Sequence, residues 1–128
     1  MKILVVEMGK HPAVMEIADS LEAMQQIVGG SIQAVYPFDE PVALICNDEG
    51  KLPGLPLNRC LRHPENHTPY DLISGTFFLC GAPPDAEHFV SLTEQQIARY
   101  YERFEDPEIF LNVDGKMIAI AIGMMELD

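Results

Sequence analysis

Three side chains that can coordinate a transition metal lie close together in the middle of the chain. Cys60, His63 and His67 follow the spacing Cys-x2-His-x3-His, and thiolate and imidazole are both zinc ligands. Asp71 could orient one of the imidazoles through a hydrogen bond. However, Pro64 breaks any helix that would align the two histidines, and no fourth strong ligand is nearby. We therefore predict no metal and no cofactor, with Cys60, His63 and His67 as the candidate ligands if a metal is bound.

The same segment could hold a nucleophilic cysteine. Cys60 lies beside Arg59 and two residues before Arg62, and two positive charges would lower the thiol pKa and favour the thiolate. His63 or His67 could then act as the base. Adjacency in sequence is weak evidence for such a pair, so the sequence favours a protein that is not an enzyme. A small metal- or thiol-dependent enzyme that uses the Cys60-His63-His67 loop is the alternative.

A third possibility is recognition of a small ligand. Asn58 and Arg59 lie between apolar residues, and arginine offers two parallel donors to a carboxylate or phosphate. Because the chain has four arginines against 20 acidic residues, an internal ion pair is favoured for Arg59. A small-ligand-binding module with these two residues at its mouth is a second alternative. The sequence contains no glycine-rich phosphate loop, Gly-x-Ser-x-Gly elbow or His-Glu-x-x-His motif.

The charge balance argues against direct nucleic-acid binding. The 128 residues carry 8 Lys+Arg and 20 Asp+Glu, a net charge of −12, and such a surface repels phosphate backbones. The length is typical of one domain, 1–128, and no apolar run approaches the ~20 residues of a membrane span. Three cysteines, an odd number without a Cys-x-x-Cys motif, favour reduced thiols and a cytoplasmic protein.

Alternation and turn signals predict seven strands and two helices. The strands are expected at 2–8, 13–18, 31–38, 42–47, 72–81, 109–113 and 116–122. Asp19 with Glu22 is expected to cap the first helix, and Thr93 with Gln96 the second. Asp114-Gly115 is expected to form the hairpin turn between the last two strands. The proline-rich segment of about 51–70 is predicted to be an irregular loop. Few crossovers and many hairpins predict an α+β fold, a mainly antiparallel sheet of about six to seven strands with two helices on one face.

The last predicted strand has no polar residue after its first position. One face carries isoleucine and the other methionine and alanine: Ile118, Ile120 and Ile122 against Met117, Ala119 and Ala121. We expect the isoleucines to face the core, because a strand with one wet face would alternate apolar with polar residues. The small alanines would then face a helix or a second subunit. A homodimer is therefore expected.

Five segments, taken together and in order, resemble a known family. They are MKILVVE at 1–7, IVGGSI at 27–32, VALICN at 42–47, GLPLNR at 54–59 and DLISGTF at 71–77. The chain resembles the bacterial and phage family known as domain of unknown function 3846, over about residues 1–122. Members of that family are associated with phages, plasmids and other mobile elements of gut bacteria.

The resemblance implies no activity, cofactor or catalytic residue, but it indicates two segments in which binding residues are expected. These supply Asn58, Arg59, Asp71 and Thr76 as candidates. With the acidity and the missing catalytic motifs, the resemblance favours a non-enzymatic accessory factor of a phage or mobile element. We expect it to bind an unidentified protein partner, and neither nucleic acid nor a membrane.

Overall fold

The computed structural model describes residues 1–49 and 55–122. These form nine strands and two helices in the order β1 (Lys2–Val6), β2 (Ala13–Glu16), α1 (Leu21–Val28), β3 (Ile32–Val35), β4 (Val42–Asn47), β5 (Leu57–Arg62), β6 (Pro69–Ser74), β7 (Phe77–Gly81), α2 (Glu94–Arg103), β8 (Glu108–Val113) and β9 (Lys116–Ala121). Neither helix in this part of the chain is long and apolar enough to cross a membrane.

Five of the strands form one antiparallel sheet in the order β2-β1-β7-β4-β3. The remaining four form two separate hairpins, β5–β6 and β8–β9. The predicted α+β class with mainly antiparallel strands is therefore confirmed. The expected size of the sheet was wrong: it has five strands rather than six to seven, because two hairpins pair only within themselves.

The helices lie on opposite faces of the five-stranded sheet. Residues alternate between the faces along a strand, and Ile3 of β1 packs with Met24 of α1, whereas Leu4 packs with Tyr100 of α2 and Leu61 of β5. The prediction of two helices on one face was wrong. The central strands are apolar at successive positions, so both faces require a cover, and each helix supplies part of one.

The helix ends agree closely with the local signals. Thr93 and Gln96 form the predicted reciprocal capping box at the start of α2. At α1 the cap is Ser20 rather than Asp19, since the Ser20 hydroxyl accepts a hydrogen bond from the backbone N–H of Ala23 at 3.1 Å. Both residue types cap helices well, and the sequence placed the cap one residue too early.

Two predicted boundaries in the middle of the chain were wrong. The single strand expected at 72–81 is divided by Gly75, whose φ of 76° turns the chain between β6 and β7. The segment of about 51–70, expected to be irregular, contains β5. Its first residues, 51–54, lie outside the described part of the chain. The sequence missed β5 because two of its buried residues are polar.

Candidate functional site

Asn58 is a buried polar anchor that joins three parts of the fold. Its side chain is fully buried, and the amide Nδ2 donates to the carbonyl oxygens of Val6 at 2.9 Å and Gly75 at 2.8 Å. One amide group therefore holds β5 against the end of β1 and against the turn that precedes β7. A buried amide needs such partners, because leaving it unpaired is costly.

Arg59 lies beside it and is 1% exposed. Its Nε donates to the carbonyl of Phe104 at 3.2 Å, and Nη2 donates to the carbonyl of Lys10 at 2.6 Å. Nη1 donates to the side-chain oxygen of Asn58 at 2.9 Å and to its carbonyl at 3.3 Å. The internal ion pair expected for Arg59 is not formed within the described residues. The guanidinium instead fixes β5 to the end of α2 and to the loop after β1.

Burial lowers the pKa of the Arg59 guanidinium, and the negative charges of Glu108 and Asp106 act in the opposite direction. Arginine nonetheless remains charged in proteins. The charge is therefore stabilised by oriented carbonyl dipoles and by more distant carboxylates. These contacts describe an internal role for Asn58 and Arg59, and binding of a ligand by them stays a prediction.

Glu108, at the start of β8, forms a buried polar contact that the sequence did not indicate. One carboxylate oxygen accepts from the backbone N–H of Cys60 at 3.0 Å. The other accepts from the Cys60 thiol at 3.1 Å and from Arg62 at 2.7 Å. The Glu108 side chain is only 7% exposed. It caps the free edge of β5 and links the β8–β9 hairpin to the β5–β6 hairpin.

The contact with Glu108 makes the Cys60 thiol less acidic, which is the opposite of the effect expected from the sequence. Burial raises the pKa of the Cys60 thiol to about 12, assisted by the hydrogen bond and the negative charge of Glu108, while Arg62 acts in the opposite direction. The prediction that flanking arginines favour the thiolate was wrong, because Arg59 is bound to carbonyls elsewhere and Arg62 is paired with Glu108.

A protonated Cys60 leads to a labelling prediction. With pKa values of about 12 for Cys60 and for Cys80, whose pKa is raised mainly by burial, native protein at pH 8 should react with iodoacetamide mainly at the half-buried Cys46. Mass spectrometry should find three labels in denaturant. The fold favours the protonated thiols, so their contribution to stability is complete below pH 9 and declines as the pH rises towards 12. Rapid native labelling of Cys60 would contradict this assignment.

The three candidate metal ligands do not meet. Cys60 is buried against Glu108, whereas His63 and His67 are exposed in the turn between β5 and β6. The His63 ring stacks against Tyr70 with centroids 4.7 Å apart. Among the described residues, no group of three or more histidine, cysteine, aspartate or glutamate side chains is placed to hold a metal ion.

Asp71 and Thr76, the other two candidate binding residues, are both half-buried, Asp71 within β6 and Thr76 in the β6–β7 turn. Asp71 accepts a hydrogen bond from the backbone N–H of Leu72 at 2.8 Å. It also borders a cleft of about 570 Å³ that separates β6 from Met117 and Ala119 of β9. The structure brings Asp71 to a cleft and Thr76 to the turn, and ligand binding by either stays a prediction.

The β8–β9 hairpin is the element in which the structure differs most from the core expected from the sequence. Its turn at Asp114 and Gly115 is the one predicted, with φ of 51° and 81°. One surface of it, here named the hairpin face, consists of five aliphatic side chains that are 42% to 46% exposed in the described structure: Ile109, Leu111, Val113, Ile118 and Ile120.

The predicted orientation of this last strand was wrong. Ala119 is half-buried and borders the cleft towards β6, whereas Ile118 and Ile120 are exposed. The reason is the register: Ile118 and Ile120 lie opposite Leu111 and Ile109 of β8, so all four share the outward face. The sequence showed that both faces of the strand are apolar but did not show which one contacts the body.

The fold and these contacts define a small α+β protein with a five-stranded antiparallel sheet, buried polar anchors and an exposed apolar hairpin. The chain belongs to the family Domain of unknown function (DUF3846), whose model matches residues 1–105. This confirms the resemblance seen in the sequence, which was expected to reach about residue 122. The β8–β9 hairpin follows the matched residues. No match was found among curated proteins or among solved structures.

Proposed function

We propose that this protein is a non-enzymatic accessory factor that acts by binding protein, and that the hairpin face is its binding surface. The supporting observation is that five aliphatic side chains lie together on one outward surface, each 42% to 46% exposed. Contiguous apolar patches of this kind mark interaction sites in proteins that are not membrane-spanning. A two-stranded hairpin is also only marginally stable alone in water, so a cover over this face stabilises the hairpin itself.

A second copy of the chain is the occupant that fits this face. Lys116, opposite Val113 at the tip, is the one charged residue on this side of the hairpin. In a chain of net charge −12, the hairpin face lets two copies meet without opposed carboxylates at the centre. A two-fold axis brings the same surface of both copies together, and the depletion of charge matches the core of a protein interface.

The enzymatic alternative has less support. Cys60 is held as a buried, protonated thiol by Glu108, and its two histidine neighbours are exposed on a turn. We place the protein in the cytoplasm because of its odd number of cysteines. A role in a phage or other mobile element is supported by the family resemblance alone. Neither nucleic acid nor a membrane is included among the proposed partners.

Light scattering tests the self-association. The wild-type protein should have twice the 14.3 kDa chain mass, more completely at high salt, which screens the repulsion between acidic copies. Ile118→Asp should weaken the dimer by about 100-fold or more, because the interface would bury an unpaired carboxylate. Val14→Asp is the matched control, since Val14 is 52% exposed on the edge strand β2 and should leave the dimer intact.

Two results would overturn the dimer. One is a monomeric mass for the wild-type protein at every salt concentration. The other is equal weakening by Val14→Asp and Ile118→Asp, which would place the interface elsewhere. Circular dichroism of the Ile118→Asp protein shows whether this variant has lost only the interface or also its fold.

A further inference from the structure

Most of the arginines of this acidic protein, with two of its histidines, border one cleft. The cleft, here named the basic cleft, has a volume of about 470 Å³ and lies between α2 and the turn that joins β5 to β6. Its basic lining residues are Arg62, His63, His67, Arg99 and Arg103. Three of the four arginines in a chain with 20 acidic residues therefore border the same space.

Two separate elements supply these side chains, and hydrogen bonds hold them in place. Arg99 and Arg103 are four residues apart on α2, a spacing at which like charges repel and slightly destabilise a helix. Nη2 of Arg103 donates to the carbonyl of Arg62 at 3.2 Å, and Nη1 of Arg62 donates to the carbonyl of His67 at 3.3 Å. These hydrogen bonds connect the two walls of the cleft. The fold therefore holds Arg99 and Arg103 close together despite the repulsion between their charges.

Acidic side chains near the cleft neutralise some of these arginines but not all of them. Arg62 is paired with the buried Glu108, and Arg99 is paired with Glu40. Neither of these carboxylates lines the cleft itself, and the acidic residue in its described lining is Glu102 on α2. Two of the three arginines therefore already have a carboxylate partner.

Arg103 differs from the other two arginines. Within the described residues it forms no ion pair, and its guanidinium lies 4.9 Å from the centre of the Phe38 ring. The side chain is exposed, so the donors that are not used in the hydrogen bond to the Arg62 carbonyl remain available to an anion. Arginine recognises phosphate through two parallel donors. Arg103 is the residue on which an anion entering this cleft would be bound.

We propose that the basic cleft binds a small phosphorylated molecule, with Arg103 as the main phosphate contact and with Arg99 and His67 as secondary contacts. The volume falls within the range of small-molecule sites, roughly 300–1,000 Å³, and exceeds what a lone anion fills. The His63 ring stacked on Tyr70 places an aromatic surface at the turn for the organic part of the ligand. A long nucleic acid does not fit, because beyond the cleft it would meet a surface of net charge −12.

Titration of the full chain with adenosine monophosphate, inorganic phosphate and sulfate tests this site by NMR. Adenosine monophosphate should bind saturably, more tightly than inorganic phosphate, and should shift the signals of Arg103 and of the β5–β6 turn. Arg103→Gln should weaken binding by about tenfold, the loss expected for a charge-assisted hydrogen bond. Lys10→Gln removes the same charge at a side chain that is 70% exposed in the turn after β1 and should leave binding unchanged.

A second variant is needed because Arg103 also contacts the Phe38 ring, so that misfolding is another explanation for weak binding by Arg103→Gln. His67 has a φ of 60°, a conformation that asparagine tolerates, so His67→Asn removes the imidazole without straining the turn. It should weaken binding several-fold. The proposal is overturned if no probe binds, if phosphate and sulfate bind but adenosine monophosphate binds no better, or if Lys10→Gln weakens binding as much as Arg103→Gln.

Discussion

Replacing Arg59 with methionine should lower the free energy of unfolding by about 3 kcal/mol, which corresponds to roughly 10 °C in the melting temperature of a chain of this length. Methionine has a similar length and removes the buried charge. It leaves the carbonyls of Phe104 and Lys10 and the side-chain oxygen of Asn58 without the donor that the structure gives them. The loss of those hydrogen bonds exceeds the gain from no longer burying a charge.

Two comparison variants separate this explanation from a general effect of charge. Arg59→Lys keeps the charge but cannot direct donors to three carbonyl groups at once, so it should restore little stability. Arg99→Met makes the same substitution at an arginine whose side chain is 56% exposed, and its effect should stay within about 1 kcal/mol. Thermal unfolding by circular dichroism measures all three. An Arg59→Met protein as stable as wild type would contradict the anchoring role.

The strand that holds Asn58 and Arg59 shows why part of the fold was not predictable. A buried strand is recognised in sequence by apolar residues at alternate or successive positions. In β5 the fully buried positions include an amide and a guanidinium, and their partners come from β1, from the turn at Gly75 and from the end of α2. Such partners are distant in sequence, so the polar residues and the neighbouring prolines predicted a loop.

Predictions from local signals were more reliable, because all the residues that form a helix cap or a tight turn lie within a few positions of one another. The capping box of Thr93 and Gln96, and the turn at Asp114 and Gly115, were both predicted correctly. The faces of the elements depend on which surfaces are covered, which is a property of the whole fold. The opposite placement of α1 and α2, and the outward position of Ile118, therefore became visible only in the structure.

The contacts of Glu108 also join residues that are distant in sequence. Removing its side chain should have the second large effect on stability. Glu108→Ala takes away the carboxylate that accepts from the Cys60 backbone and from Arg62. Breaking such a pair is costly when it is buried, and since the Arg62 side chain is 32% exposed, we expect a loss of about 2–3 kcal/mol. The loss should be local, because Glu108 attaches the β8–β9 hairpin and contributes nothing to the five-stranded sheet.

Hydrogen exchange can resolve that local effect. In Glu108→Ala the amides of β8 and β9 should exchange roughly 30-fold to 150-fold faster, while those of β7, at the centre of the main sheet, keep their protection. Glu108→Gln can still accept from the Cys60 N–H but cannot neutralise Arg62, so its effect should lie between wild type and Glu108→Ala. Glu65→Ala removes an exposed carboxylate from the β5–β6 turn and should change neither region.

The Glu108 variants also connect the anchor to the proposed dimer. If Glu108 orders the hairpin, Glu108→Ala should weaken self-association although no residue of the hairpin face is altered, because part of the binding energy would be spent on ordering the hairpin. Conversely, raising the protein concentration should restore protection to β8 and β9, since the dimer stabilises the ordered hairpin. Protection of the hairpin that is independent of concentration, in a protein that is nevertheless dimeric, would show that the copies meet through another surface.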